Sequence, residues 1–373
     1  MSKTISIRTM LGTTFLLGLG VGMSARRRDR VRGFQGRTAL VTGGSRGLGL
    51  ELVRELSHRG ARVLFCARTA DEVHRAERLL HSEGHHRARG YVADISRPDG
   101  PADLWSQIQH ETKCADLLVN NAGIIQVMPF VRAQEKSFHD CLDTFLYGPL
   151  RMTQEVLGAM ISGGGGTVVN IASVGGQIPA PHLIPYNAGK AALVALSEGL
   201  SVELDRYGVN VLTVVPGLMR TGSHRNAQFA GDSSKEYAWF SRAALHPALT
   251  VPPDRAARQI VDAVSRGKRK LSIGWEAKLA PLFHVLTPEL SHRVVSAIEK
   301  LLPGTGQDSV SRQGEIVSGD SPPLSALFQG IERQAIAQYQ SARYAVAEED
   351  SGPPSNQLCR GLRTRPALYT ARL

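Results

Sequence analysis

Cysteine is scarce in this chain, with four residues among 373. Cys66, Cys114, Cys141 and Cys359 lack the close spacing of paired metal ligands and of a small secreted disulfide framework. The twelve histidines are scattered as well, so we expect no metal site. Reduced thiols in the cytoplasm fit this pattern best.

Acidic residues are in deficit, with 33 Asp and Glu against 44 Lys and Arg and a formal net charge of +11. The excess is local, because residues 1–37 hold eight basic residues and one acidic residue, whereas residues 303–373 hold seven of each. No nucleic-acid-binding motif accompanies this charge. The basic N-terminal region therefore suits anionic lipid headgroups better than DNA, and we expect no nucleic-acid partner.

The sequence also lacks a hydrophobic run of full membrane-spanning length. Residues 9–25 carry no charge, but these 17 residues would reach only about 25 Å as a helix, less than a hydrocarbon core of roughly 30 Å. Five arginines follow within residues 26–32. We interpret residues 1–36 as a short membrane anchor with a basic flank on the cytoplasmic face, contacting lipid through residues 9–32. A cleaved signal peptide and a loose tail are the alternatives.

The first informative string that is present is glycine-rich, Thr42-Gly-Gly-Ser-Arg-Gly-Leu-Gly49. An apolar run over residues 36–42 predicts a buried strand before it, and apolar residues at helical spacing predict a helix after it. Glycines at such a turn permit unusual backbone angles and let a phosphate approach the start of the helix. A turn without a ligand is the alternative. The residues that we predict to bind a dinucleotide here are Gly43, Ser45, Arg46, Gly47, Leu48 and Gly49.

Two arginines indicate which dinucleotide is bound. Residues 61–66 predict the second strand, and proteins that prefer NAD place an acidic residue at its end. This chain has Arg68 there and Arg46 in the glycine string. Because guanidinium groups can bind a 2′-phosphate with two hydrogen bonds, the sequence favours NADP over NAD. Two solvated surface arginines are the alternative.

A tyrosine and a lysine lie one helical turn apart later in the chain. Residues 166–172 predict a strand that ends at Ser173, and residues 185–206 predict a long helix with an apolar stripe. Tyr186 and Lys190 are i and i+4 on that helix, so their side chains lie on one side. A nearby ammonium group favours the phenolate form of a tyrosine, whose ordinary pKa is about 10.

These strings, with Asn120-Asn-Ala-Gly123 between them, resemble the single-domain branch of the short-chain dehydrogenase/reductase family from about residue 37 to about residue 267. The resemblance implies that Tyr186 is the general acid/base, that Lys190 lowers its pKa and holds the nicotinamide ribose, and that Ser173 orients the carbonyl. It also implies a homo-oligomer, because members of the family are often dimeric or tetrameric. The further cofactor contacts that it implies are Asp94, Ile95, Asn121, Ala122, Gly123, Pro216, Gly217 and Thr221.

One position departs from the family pattern. The family has an asparagine in a string like Asn-x-x-Gly-Pro-Leu, and here that string begins with Phe145. In the family this asparagine anchors a water in the proton relay from the lysine to solvent. A phenyl ring does not do so, although the backbone carbonyl of the residue still could.

The sequence divides into four regions. We expect the anchor at residues 1–36, an α/β domain with a doubly wound parallel sheet at 37–270, a helical extension at 271–302, and a final region at 303–373. The final region should contain a Gly/Ser/Pro linker at 303–323, an amphipathic docking helix and a disordered tail. Apolar residues at helical spacing over 275–302 predict either a pair of helices packed on the core or a surface that rests on lipid.

These features predict an NADPH-dependent enzyme that interconverts a carbonyl and an alcohol. Aromatic residues between residues 216 and 253 and the predicted anchor favour a lipophilic substrate, such as a sterol, a retinoid or a fatty-chain carbonyl. The alternative is a catalytically weak or inactive NADP-binding membrane protein that acts as a sensor or scaffold.

Overall fold

The computed structural model describes residues 33–113, 115–306 and 308–340. Nearly all of the predicted anchor at residues 1–36 lies outside the described residues, as does the predicted tail. None of the helices in the described part of the chain is both long and apolar enough to cross a membrane.

Strands and helices alternate along most of the described chain. The strands are β1 (Thr38–Thr42), β2 (Arg62–Ala67), β3 (Ala88–Val92), β4 (Leu117–Asn120), β5 (Gln126–Val127), β6 (Gly166–Ile171), β7 (Val209–Pro216), β8 (Leu218–Met219), β9 (Gln228–Gly231), β10 (Thr250–Val251), β11 (Lys270–Ile273) and β12 (Asp308–Gln313). The helices are α1 (Gly47–His58), α2 (Ala70–Ser82), α3 (Gly100–Gln109), α4 (Glu135–Leu142), α5 (Gly148–Ser162), α6 (Ile184–Glu203), α7 (Ser233–Leu245), α8 (Pro253–Ser265), α9 (Glu276–Leu286), α10 (Pro288–Glu299), α11 (Gly314–Asp320) and α12 (Ala326–Tyr339).

Seven of the described strands form one parallel sheet in the order β11-β7-β6-β4-β1-β2-β3. Alternate strand residues face opposite helical layers, with Val41 and Phe65 in the core under α1, α2 and α8 and Leu40 and Leu64 in the core under α3 and α5. The strand order reverses between β1 and β4, and open parallel sheets bind ligands at such a point, beyond the carboxyl ends of the strands. The predicted doubly wound α/β fold is confirmed.

The last strand of the sheet was not anticipated by the sequence pattern. β11 pairs in parallel with β7, so the sheet continues across the predicted boundary at residue 270. The four residues of β11 include only two apolar side chains, Leu271 and Ile273, and give little periodic signal. Its place at the edge of the sheet is therefore decided by pairing with β7.

The predicted linker at residues 303–323 also differs from the structure. β12 and α11 occupy it, and β12 pairs antiparallel with β9, which pairs in parallel with β5. The polar sequence of β12 carries no strand pattern of its own, so its partner strand determines its conformation. Val317 of α11 is fully buried against Phe229 and Tyr237.

Helices α9 and α10 form a hairpin at the surface and not the pair packed on the core that was one interpretation of the sequence. Ala277 and Ser291 are the buried residues of these two helices. The apolar hairpin face, as we name it, consists of side chains at least 39 % exposed: Trp275, Leu279, Leu282, Phe283, Val285, Leu286, Leu290, Val294, Ile298 and Leu301.

Candidate active site

The loop between β1 and α1 is shaped by its glycines. Gly43 and Gly47 have φ angles of +67° and +58°, a region that side chains disfavour. A Cβ on Gly49 would lie 2.0 Å from the carbonyl oxygen of Gly43, so the loop folds closely onto the helix. No side-chain hydrogen bond from Arg46, the residue before α1, caps the start of the helix. Its first N–H groups are thus available to an anion, and the loop fits a pyrophosphate.

Asn121 fixes this loop to the end of β4. Its side-chain Nδ2 donates hydrogen bonds to the carbonyl oxygens of Thr42 and Gly43 at 3.0 and 3.1 Å. The Thr42 hydroxyl in turn accepts the backbone N–H groups of Asn121 and Ala122 at 3.0 and 3.1 Å. The ends of the two central strands are thereby held together at the point where the sheet reverses its order.

The wall of the cleft after β3 is also organised by hydrogen bonds. Asp94 Oδ1 accepts both the backbone N–H and the hydroxyl of Ser96, at 3.0 and 2.6 Å, which fixes the turn after β3. Ile95 is buried beside it, where its side chain lies against Gly148. The backbone after β3 is therefore held in one conformation at the cleft wall.

An acidic side chain lies among the predicted phosphate ligands. Arg46 makes an ion pair with Glu72, which is nearly fully buried near the start of α2. The Ser45 hydroxyl donates to the same carboxylate at 3.3 Å. Arg68 is exposed at the rim of the cleft. The two predicted guanidinium groups thus have different surroundings, one paired with a carboxylate and one facing solvent.

Three side chains meet at the reacting centre. Ser173 Oγ accepts the backbone N–H of Gly175 at 3.1 Å and is hydrogen-bonded to Tyr186. Burial raises the pKa of Tyr186 to about 12, although the hydrogen bond with Ser173 opposes this rise. Lys190 Nζ donates to the carbonyl oxygen of Ile171 at 2.7 Å, and burial lowers the pKa of Lys190 to about 7.

The pKa of Tyr186 is raised, whereas the sequence predicted that a nearby ammonium group would lower it. The Nζ atom of Lys190 is 5.8 Å from the centroid of the Tyr186 ring and is directed to a backbone carbonyl. Desolvation of a buried phenol therefore dominates. At neutral pH the phenol keeps its proton, as a general acid requires.

A buried row of polar side chains supports the helix that carries the tyrosine and lysine. Asn120 donates to Asn170 at 2.9 Å, Asn170 donates to Ser197 at 3.0 Å, and the hydroxyls of Ser197 and Thr213 are 2.7 Å apart. This row joins β4, β6, α6 and β7. Because buried polar groups are costly to leave unpaired, it fixes α6 relative to the sheet.

The structure brings every predicted site residue to one cleft above the carboxyl ends of the strands. The predicted residues that line it are Gly43, Ser45, Arg46, Gly47, Leu48, Gly49, Arg68, Asp94, Ile95, Asn121, Ala122, Gly123, Ser173, Tyr186, Lys190, Pro216, Gly217 and Thr221. Other lining residues carry no sequence motif, among them Glu72, Ile124, Ile125, Ser223 and Gln340. No group of His, Cys, Asp and Glu side chains in the described residues is arranged to hold a metal ion.

Comparison with known proteins gives this arrangement a family. Residues 37–230 match the family described as short chain dehydrogenase. The chain belongs to the short-chain dehydrogenase/reductase family. The resemblance seen in the sequence is therefore confirmed. Members of this family are NAD(P)-dependent oxidoreductases, and the chain is an oxidoreductase of small molecules.

Similar proteins include enzymes of different substrates. A gluconate 5-dehydrogenase of Gluconobacter oxydans is 33% identical over 186 residues, which cover 50% of this chain and 72% of that protein. A 3-oxoacyl-[acyl-carrier-protein] reductase of Escherichia coli is 31% identical over 192 residues, covering 52% and 77%. The crystal structure of a gluconate 5-dehydrogenase from Burkholderia cenocepacia in complex with NADP and tartrate has a TM-score of 0.58 and 27% identity, covering 67% of this chain and 98% of that one.

In this short-chain dehydrogenase/reductase, Phe145 packs against both the tyrosine and the lysine. Its ring is 1 % exposed, and the Nζ atom of Lys190 lies 4.0 Å from the ring centroid. The rings of Phe145 and Tyr186 are 5.4 Å apart and nearly perpendicular, at 86°. An amide in the usual family position is thus replaced by a ring that contacts the lysine through its π face.

Proposed function

We propose that this chain catalyses the NADP(H)-dependent interconversion of a carbonyl and an alcohol on a lipophilic small molecule. The observation that carries the proposal is that Ser173, Tyr186 and Lys190 lie in the same cleft as the glycine loop. These three side chains lie beside a loop suited to bind a dinucleotide, which favours hydride transfer over binding of the dinucleotide without catalysis. We therefore favour an enzyme over the non-catalytic sensor or scaffold.

The roles of the residues follow from their surroundings. Ser173 would orient the substrate oxygen by hydrogen bonding, and Tyr186 would give its proton to that oxygen in reduction and take it back in oxidation. Lys190, anchored to the carbonyl of Ile171, would hold the ribose and stabilise the phenolate that forms. The dinucleotide, when bound, supplies or accepts the hydride.

NADP is the proposed cofactor. Arg46 and Arg68 both line the cleft and could meet a 2′-phosphate with charge-assisted hydrogen bonds. The similar Burkholderia enzyme was crystallised with NADP. Glu72 opposes this preference, since its carboxylate holds Arg46 in an ion pair. For NADP to bind, Arg46 would have to share or leave that partner.

A lipophilic substrate is supported by the walls of the cleft and by the surface beside it. Ile124, Ile125 and Met219 line the cleft. The apolar hairpin face begins beside Gly217, which also lines the cleft, because α9 packs there and a Cβ on Gly217 would lie 1.7 Å from the carboxylate of Glu276. These features favour an acyl chain or ring system over a sugar acid such as gluconate.

A turnover assay tests the proposal. The full-length protein is incubated with NADPH and either lipophilic ketones of increasing chain length or polar keto-acids, and the consumption of NADPH is measured. We expect turnover of the lipophilic ketones. Tyr186→Phe should lower kcat by about 10²–10⁴-fold, the typical contribution of a general acid, without loss of NADPH binding.

The surface residue Tyr207, which is 46 % exposed, provides the matched control, and Tyr207→Phe should leave kcat unchanged. If the unmodified protein binds NADPH but reduces none of the ketones, the enzymatic proposal is wrong. If it reduces only the polar keto-acids, the proposed substrate class is wrong and the reaction type stands.

A further inference from the structure

Helix α12, the last helix of the described residues, is attached to the segment between β8 and β9. Glu332 Oε1 lies 2.8 Å from His224 Nε2, and both side chains are largely buried. The lowered pKa of Glu332, to which the hydrogen bond with His224 contributes, keeps it ionised. Further along α12, the hydroxyl of Tyr339 donates to Asp254 Oδ1 at 3.1 Å. The helix is thus held at two points beside the cleft.

The residue after α12 enters the cleft itself. Gln340 is 1 % exposed, and its Nε2 donates to the carbonyl oxygen of Thr221 at 2.7 Å. Its Oε1 accepts Asn226 Nδ2 at 3.1 Å. Across the cleft, Nε2 would lie 4.0 Å from a Cβ built on Gly47, the first residue of α1. The amide of Gln340 therefore faces the N-terminus of the helix that receives the pyrophosphate.

The chemistry of the amide suits an anion at this place. A glutamine Nε2 carries two N–H groups, and the bond to Thr221 accounts for one of them. The second N–H can be donated to a phosphate oxygen held at the start of α1. A neutral, buried donor that is already positioned by Thr221 and Asn226 loses little freedom when it binds.

We propose that Gln340, the residue that directly follows α12, is a pyrophosphate-binding residue of the dinucleotide site. This inference rests on the proposed cofactor binding. It adds to the cofactor site a binding residue that lies about 110 residues beyond the matched family region, which ends at residue 230. Since both NADPH and NADH contain the pyrophosphate, the contact should not discriminate between them.

The test compares two glutamines of the same helix region in the full-length protein. Gln340→Met keeps the length of the side chain but removes its N–H groups, and it should raise the Kd of NADPH and of NADH alike, by about tenfold. Gln338→Met is the matched control, because the side chain of Gln338 is exposed and its contact with Arg54 uses the backbone oxygen. That variant should bind both cofactors as the unmodified protein does.

The outcomes separate this inference from the proposed function. If the unmodified protein binds neither dinucleotide, the proposed function is wrong. If it binds NADPH and Gln340→Met binds it equally well, only the role of Gln340 is wrong. A lower thermal midpoint with an unchanged Kd would show that Gln340 merely holds the loop. Gln340→Glu, which places a negative charge against the phosphates, should weaken binding further than Gln340→Met, and equal affinity of these two variants would overturn the proposal.

Discussion

Glu72 lines the cleft together with Arg46 and Arg68, which we propose to bind a 2′-phosphate, and its carboxylate is already paired with Arg46. A buried carboxylate beside a 2′-phosphate is unfavourable, whereas a carboxylate beside the free ribose hydroxyls of NAD is favourable. In the proposed site, the balance between Glu72 and the two arginines would therefore set the cofactor preference. Only the structure reveals this competition, because Glu72 follows Arg46 by 26 residues in the chain.

Arg46→Ala combined with Arg68→Ala removes both positive charges that a 2′-phosphate would meet. We expect the Kd of NADPH to rise by about tenfold or more and the Kd of NADH to change by less than about twofold. Glu72→Gln is the converse variant, since it keeps the size of the side chain and releases Arg46, and it should lower the Kd of NADPH relative to NADH. Fluorescence titration of the unmodified protein and of both variants with each cofactor measures all six constants. Equal affinity of the unmodified protein for both cofactors would contradict the proposed preference.

The helix from Glu135 to Ser162 is interrupted by a π-helical turn, Asp143–Tyr147, with Phe145 at its centre. Such turns widen a helix locally and often occur at functional sites. Here the widened turn directs the ring between two glycines, since a Cβ on Gly123 or on Gly189 would lie 3.1 or 2.8 Å from ring atoms of Phe145. The element and the residue are therefore matched: a large ring fills the space that the turn opens.

Phe145→Asn tests whether this element serves packing or proton relay. The shorter amide would leave a cavity and lack partners in a site that is 1 % exposed, so we expect a loss of about 2–4 kcal/mol in the free energy of unfolding. Phe145→Leu is the control, because it keeps an apolar group and should cost less. Thermal unfolding and kcat are measured on both variants. A higher kcat in Phe145→Asn without a loss of stability would show that the amide relay of the family operates here.

The charge state of one buried lysine should affect the stability of the whole molecule. The pKa of Lys190 is about 7 in the folded chain, against about 10.4 for an exposed lysine. Between these two values the unfolded chain binds more protons than the folded chain, so stability rises with pH in this window. Below pH 7 both states are protonated and the full penalty of burying the charge persists.

Urea unfolding at pH 7 and pH 9 measures this effect. From the shift of Lys190 we expect a contribution of about 2 kcal/mol to the gain in stability between these pH values. Lys190→Met, which carries no charge, should lack this contribution. An identical pH dependence in the two proteins would mean that Lys190 stays protonated in the folded state. Lys270→Met is the control, since Lys270 is an exposed residue that pairs with Glu198 at the surface.

The sequence by itself determined the family, the doubly wound sheet and those residues of the cleft that belong to local motifs. Local patterns carry this information, because buried strands are short apolar runs and a glycine string between a strand and a helix is typical of a phosphate-binding turn. Tyr186 and Lys190 were found for the same reason, since their spacing of one helical turn is a local property. The strands predicted at residues 36–42, 61–66 and 166–172 lie within two residues of their observed ends.

The tertiary structure alone decided what depends on distant partners. β11 and β12 take their conformation from β7 and β9 and carry little pattern of their own. The exposure of the apolar hairpin face, the ion pair of Glu72 and the arrival of Gln340 in the cleft depend on contacts between segments far apart in the chain. Periodicity shows that a helix has an apolar face, but only packing shows whether another element covers it. The rise of the tyrosine pKa likewise follows from burial, which no spacing of residues reveals.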